Sequence, residues 1–141
     1  GLASLLGAVV AGARRVVAID LSDDKLGLAR QLGASDTINA RAEDAADQAR
    51  ELTGGGVDFA IEMAGSARAL DLAYRITRRG GTTITAGLPP PTATLPLPIV
   101  NLVAEERTVK GSYIGTCVPT RDIPRFIELY QRGRLPVEAV R

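Results

Sequence analysis

The chain has 141 residues, 45% of them apolar and 23% charged, and a formal net charge of +1. That length suffices for one domain with a real core, and the charge balance excludes both a disordered segment and a nucleic-acid partner held by bulk electrostatics. A single cysteine, Cys117, and no histidine exclude a disulfide framework, leave almost nothing for a zinc or copper site, and make the cytoplasm the default compartment.

In chain order, the first segment reads as a helix over roughly residues 2 to 12. Leu2, Leu5, Leu6, Val9, Val10 and Ala13 form one apolar stripe, and Gly12 offers a left-handed stop. It has no basic residues ahead of it and is too short to cross a bilayer, so neither a signal peptide nor a membrane partner is expected. "VVAID", residues 16–20, is a short β-branched run read as a buried strand ending on an acid. Ser22 then caps a helix with Asp23 and Asp24 in its first turn, Leu26, Ala29 and Leu32 facing inward, and Gly33 as its end. "DTIN" is a short strand, "AEDAADQAREL" a helix closed by Gly54–Gly56, and "VDFAIEM" a strongly buried strand. Ser66 opens a helix expected to run through "ARALDLAYRITRR" to Gly80 and Gly81, and "TTITAG" follows as a strand.

Five of the eight prolines fall in residues 89–98, which reads as an extended loop because proline cannot donate to a strand ladder. Beyond it come a short helix, "IVNLVAEE", a strand, "RTVKGSYI", and a last helix, "RDIPRFIELYQRG". Ile123, Phe126, Ile127 and Tyr130 share one side of that helix, Asp122 caps it, and Pro124 sits in its first turn. The alternation of strands and helices predicts an α/β fold, a parallel sheet wrapped by helices.

An acid at the tip of a strand has two readings. In a dinucleotide-binding unit a glycine-rich turn and a helix start precede, by about twenty residues, an acid that bonds the ribose hydroxyls. Asp20 lies nineteen residues after Gly1. A carboxylate offers two oxygens to vicinal hydroxyls and repels a 2′-phosphate, which favours NAD over NADP. Arg14 and Arg15 sit at the other end of the strand, too far away to change that preference. Alternatively, Asp20 only helps to cap the following helix.

Four blocks, "VVAIDLSDDKLGLARQLGASDTIN", "TGGGVDFAIEMAGS", "RRGGTTITAGLPP" and "TVKGSYIGT", cover nearly the whole chain. In order and spacing they resemble the nucleotide-binding domain of zinc-dependent medium-chain alcohol dehydrogenases. The resemblance implies a doubly wound, Rossmann-type parallel sheet with helices on both faces, lacking the family's first strand. Gly1 would be the last glycine of the G-x-G-G-x-G turn. It further implies that Asp20, and Lys25 beside it, meet the adenosine ribose. Met63 and Ala64 would flank the adenine and the middle of the cofactor. Ala86, Gly87 and Leu88 would run beside the nicotinamide, and the segment from Ser112 to Ile114 would offer backbone to its carboxamide.

Other readings of these residues stand beside those roles. Lys25 also reads as a solvated first-turn lysine, Met63 as core filling, and Gly87 as a residue needed only for a strand-end turn. Glu62 reads either as a polar strand end or as a residue supporting the site.

The family's hydride transfer uses a zinc ion held by a separate catalytic domain, which this chain does not contain. Zinc is therefore implied for the full-length enzyme and not for this chain. Tyr74, Tyr113 and Tyr130 are followed four residues later by Arg78, Cys117 and Arg134, so the Tyr-x-x-x-Lys pair of short-chain reductases is absent too. No catalytic residue is expected here, and Cys117 is expected to be half-buried and free.

The resemblance also implies a homodimer through the strand Thr108 to Ser112. The two strands that would flank the first strand, ending at Asp20 and near Glu62, are expected to close up or to have their gap filled by another segment, because buried unpaired backbone is costly. Two other functions share a ribose-binding acid: a stand-alone nucleotide-sensing module and an S-adenosylmethionine-dependent methyltransferase. The sensing modules keep an intact glycine loop and lack the "GGTTITAGLPP" block, and a methyltransferase would need a glycine-rich loop before its first helix and commonly an antiparallel strand near the end.

Overall fold

The computed structural model describes residues 1–140, which divide into two compact units. The first unit is Gly1–Ala42 together with the segment from Thr116 onward, and the second is Glu43–Gly115.

In the first unit, α1 (Leu2–Val10) buries Leu5 and Leu6, while α2 (Asp23–Gln31) buries Leu26 and Ala29. Burying each of those leucines is worth about 1.5–3 kcal/mol. Ser22 caps α2 as the sequence implies, its hydroxyl accepting from the Lys25 N–H at 3.4 Å, and Gly33 ends the helix at φ +110°. Strands β1 (Val17–Asp20) and β2 (Asp36–Asn39) pair in parallel, in register from Val17 opposite Asp36 to Asp20 opposite Asn39.

All four residues of β1 are only half-buried, contrary to the buried strand expected from its β-branched run. Its one ladder is to β2, and the groups on its other edge are not sealed in a core. Ala13, assigned to the apolar stripe of α1, is exposed because the helix has already ended.

The last helix, α6, spans Pro119–Gln131 and starts earlier than its periodicity suggests, with proline in its first turn. Pro124 therefore lies inside the helix rather than in its opening turn. Asp122 is not the cap residue either. It reaches back from within the helix to accept from the Val118 N–H at 2.8 Å and pairs with Arg121 at 2.7 Å. Ile123, Phe126, Ile127 and Tyr130 lie on the exposed part of α6. A further 3-10 turn, Val137–Val140, was not visible as a pattern.

The second unit carries a three-stranded parallel sheet in the order β3 (Val57–Glu62), β4 (Thr77–Thr85), β5 (Thr108–Gly111). Helices α3 (Ala45–Leu52) and α4 (Ala67–Ile76) pack through a small-residue core of Ala45, Ala46, Ala49, Ala60 and Ala73, with Tyr74 and Ile76. Only short side chains allow elements to approach this closely.

The helix expected to run to Gly80 stops at Ile76. Thr77 is already extended, and its hydroxyl donates to the Ala73 carbonyl at 2.8 Å. Since a hydroxyl has one proton, the 2.7 Å bond between Thr77 and Thr83 must then be donated by Thr83. Between those threonines the strand runs on but its pairing with β3 shifts register, so that Val57 faces Thr77 while Phe59 faces Thr82.

Strand β3 alternates more than its apolar content suggests. Ala60 and Glu62 are buried on the side served by α4, whereas Phe59 and Ile61 are exposed on the other. The proline-rich segment contains no helix or strand and leads into the short helix α5 (Ile99–Ala104).

The strands that end at Asp20 and Glu62, expected to close up, belong to different sheets, with no ladder between them. Among the described residues no other strand pairs with their remaining edges.

Candidate functional site

In both sheets the predicted residues gather where parallel strands end at their carboxyl side, the usual ligand position in open α/β sheets. In the first unit, Asp20 is the last residue of β1, level with Asn39 at the end of β2. One oxygen of its half-buried carboxylate accepts from the Ser22 N–H at 3.0 Å. No described residue bonds the other oxygen. Lys25 is exposed in the first turn of α2. Asn39 links the two strand ends to that helix by donating to Asp23 at 2.8 Å. Gly1 is exposed and precedes α1, its carbonyl accepting from the Ser4 and Leu5 N–H groups at 3.0 and 3.2 Å.

In the second unit, Glu62, Thr85 and Gly111 end the three strands at the same level. The predicted residues follow at once. Met63 is 45% exposed and so is not core filling, and Ala64 is exposed. Ala86 and Gly87 are half-buried, Leu88 is 80% exposed, and Ile114 is exposed at φ +49°. Ser112 joins this edge through its N–H, which donates to the Thr85 carbonyl at 2.9 Å.

Two features beneath the residues that follow β3 and β4 go beyond what the sequence specifies. Glu62 is 4% exposed, and its carboxyl group is bonded on both oxygens. Oε1 accepts from the Ala64 and Gly65 N–H groups, both at 2.6 Å, and Oε2 accepts from the Thr85 hydroxyl at 2.8 Å. The second feature is a crossing of backbones. A Cβ on Gly87 would lie 2.5 Å from the Gly65 Cα, and one on Gly65 would lie 2.8 Å from the Leu88 carbonyl oxygen. Gly87 thus does allow a close backbone approach, and the backbone approaching it is the chain's own. The sequence signals were the acid in an apolar strand, read as a polar strand end or as support for the site, and Gly87, read as allowing close approach of backbone. A cleft of about 50 Å³ beside the crossing, lined by Glu62, Ser66, Leu70, Thr85, Gly87 and Leu95, has room for a water and is too small for a cofactor.

Among the described residues no group of three or more His, Cys, Asp or Glu could hold a metal ion. Cys117 is free and half-buried. Among the described residues no helix is long and apolar enough to cross a membrane.

Residues 1–132 match the zinc-binding dehydrogenases. The chain belongs to that family. The alcohol dehydrogenase 1 of Oryza sativa subsp. indica is 35% identical over 141 residues, a match covering 98% of this chain and 37% of the relative. An alcohol dehydrogenase of Geobacillus stearothermophilus is 39% identical over 120 residues, 85% of this chain and 34% of its own. The crystal structure of benzyl alcohol dehydrogenase from Acinetobacter calcoaceticus superposes with a TM-score of 0.94 at 34% identity, covering 98% of this chain and 38% of that one. These matches bear out the resemblance drawn from the four sequence blocks and establish a Rossmann-like α/β fold. This zinc-binding dehydrogenase chain spans little more than a third of the length of the relatives it matches.

Proposed function

We propose that the chain is the NAD-binding part of an alcohol dehydrogenase that transfers a hydride between an alcohol and NAD. The observation that carries this reading is the spare oxygen of Asp20, at the carboxyl end of a parallel strand in a chain of this family. The Ser22 N–H fixes one oxygen and so orients the carboxylate, while the other stays available to a ribose hydroxyl. Lys25, in the first turn of α2, would reach the outer edge of the same ribose. In the second unit Met63 and Ala64 would flank the adenine and the middle of the cofactor, Ala86, Gly87 and Leu88 would run beside the nicotinamide, and Ser112 and Ile114 would supply further backbone on the same sheet edge. When bound, the nicotinamide supplies the hydride acceptor or donor. The residues here bind and orient.

The donor set does not fit zinc, so no metal-assisted step is assigned to these residues. Activation of the alcohol belongs to a catalytic domain elsewhere in the full-length protein, and the chain alone is expected to bind cofactor and catalyse nothing. Strand β5, exposed throughout and paired only with β4 among the described strands, suits pairing across a twofold between Thr108 and Ser112 in a homodimer. The cytoplasm is the compartment that the cysteine usage favours.

The test is a calorimetric titration of the chain with NADH and ADP-ribose, repeated on Asp20→Ala and Asp20→Asn. Losing hydrogen bonds to a charged group should weaken both ligands about tenfold or more in Asp20→Ala. Asp20→Asn keeps an acceptor for Ser22 and should isolate the effect of the charge. Equal binding by wild type and Asp20→Ala would overturn the assignment of Asp20.

A further inference from the structure

We propose that Glu62 is a positioning residue for the nicotinamide half of the site, acting through the peptide planes of two loops rather than by touching the ligand. The inference rests on the reading of those loops as cofactor-facing.

A carboxyl group as buried as that of Glu62 is costly unless its acceptor sites are used. A strand end needing only a polar terminus would be served by an exposed serine or asparagine at no such cost. Glu62 instead holds four donors. Its side chain takes the Ala64 and Gly65 N–H groups and the Thr85 hydroxyl, and its main-chain carbonyl takes the Ala86 N–H at 3.0 Å. Two of these donors lie on the loop leaving β3 and two at the end of β4, so one residue ties both loops together.

The tie falls where the loops cross. Gly65, at φ +71°, and Gly87 meet backbone to backbone, with no room for a Cβ on either. Glycine loops have the most conformational freedom to lose on ordering, and no side chain at the crossing can hold them. The buried carboxyl group supplies that restraint from below. The chain from Ala86 to Leu88, and with it the Met63–Ala64 loop, is therefore set in place before any ligand arrives, which lowers the ordering cost of binding. Asp20 is no part of this clamp, so Glu62 should act most on affinity for the nicotinamide half, through the Ala86–Leu88 segment, and less on the half that Asp20 holds.

The experiment compares wild type, Glu62→Ala and Glu62→Gln in the full chain. Binding of NADH and of ADP-ribose is measured by calorimetry, and amide hydrogen exchange at Ala64 and Gly65 by NMR. In Glu62→Ala, NADH affinity should fall about tenfold while ADP-ribose, which meets only the Met63–Ala64 loop, falls by about threefold or less, and exchange at both amides should speed up about tenfold or more. Glu62→Gln keeps an oxygen for the two amides and an amide that can donate to the Thr85 hydroxyl, so it should restore most of both.

Equal losses of NADH and ADP-ribose affinity, or unchanged exchange at Ala64 and Gly65, would overturn the proposal. A wild-type chain that binds neither ligand would overturn the cofactor reading instead, and the exchange rates would then decide the clamp by themselves. Should Glu62→Ala fail to fold, Thr85→Val removes one of the four bonds and should show the same split between ligands at about threefold.

Discussion

Strands β1 and β3 are built alike. Each ends on an acid, and each leads through a short turn to a serine that caps the next helix, Ser22 for α2 and Ser66 for α4. Yet Asp20 is half-buried with one oxygen bonded, whereas Glu62 is buried with both oxygens bonded. The same local pattern thus serves two ends. An acid with a spare oxygen at the surface is available to a ligand, and an acid spent on its own backbone shapes the ground on which a ligand is met.

The contrast is broken most severely at Gly87. Gly87→Ala forces a Cβ into the Gly65 backbone and should lower stability by about 3 kcal/mol, measured by denaturant unfolding. Its counterpart in the first unit is Gly27→Ala in α2, where a Cβ meets no atom within 4 Å. That change should instead stabilise by about 0.5–1 kcal/mol. Effects of the same sign at both positions would mean that the crossing is not a constraint.

Tyr74 sharpens the rule that a spare oxygen belongs at the surface. Its hydroxyl is buried with no partner among the described residues, while its ring lies 4.8 Å under the Arg107 guanidinium and its carbonyl accepts from Arg107 at 2.7 Å. Tyr74→Phe keeps the ring and both Arg107 contacts, so a thermal melt should show stability unchanged or raised by up to about 1 kcal/mol. A clear loss would reveal a water bonded to that hydroxyl.

Asp122 gives the smallest effect. Hydrogen bonding from the Arg121 guanidinium, then from the Val118 N–H, holds its carboxyl down from the ordinary 3.8 to about 2. Because the folded value is the lower one, its support for the start of α6 is complete above about 3.8 and is lost as pH falls through about 2. Helicity followed by circular dichroism across that range should lose this step in Asp122→Asn.

Much of this was legible in the sequence because it is local. Ser22, Asp23, Asp24 and Gly33 fix α2 by capping, charge and φ alone, and the prolines of residues 89–98 permit little but a loop. What escaped depends on partners distant in the chain. The extended start at Thr77 is set by Ala73, Thr83 and Val57, against a run of good helix formers. The role of Glu62 needs Thr85, twenty-three residues away. Asp20 stood out by its strand-tip position and spacing and the residues after β3 and β4 by family resemblance, while the contact of Gly65 with Gly87 came only with the structure.

The outer side of β3 carries a cost of a different kind. Phe59 and Ile61 face outward from a strand that has one unpaired edge among the described residues. Such a strand is a template for sheet extension from one copy to the next. Keeping the isolated chain dispersed is then first a matter of concentration and only second one of temperature, and dilute stocks are the natural way to store it.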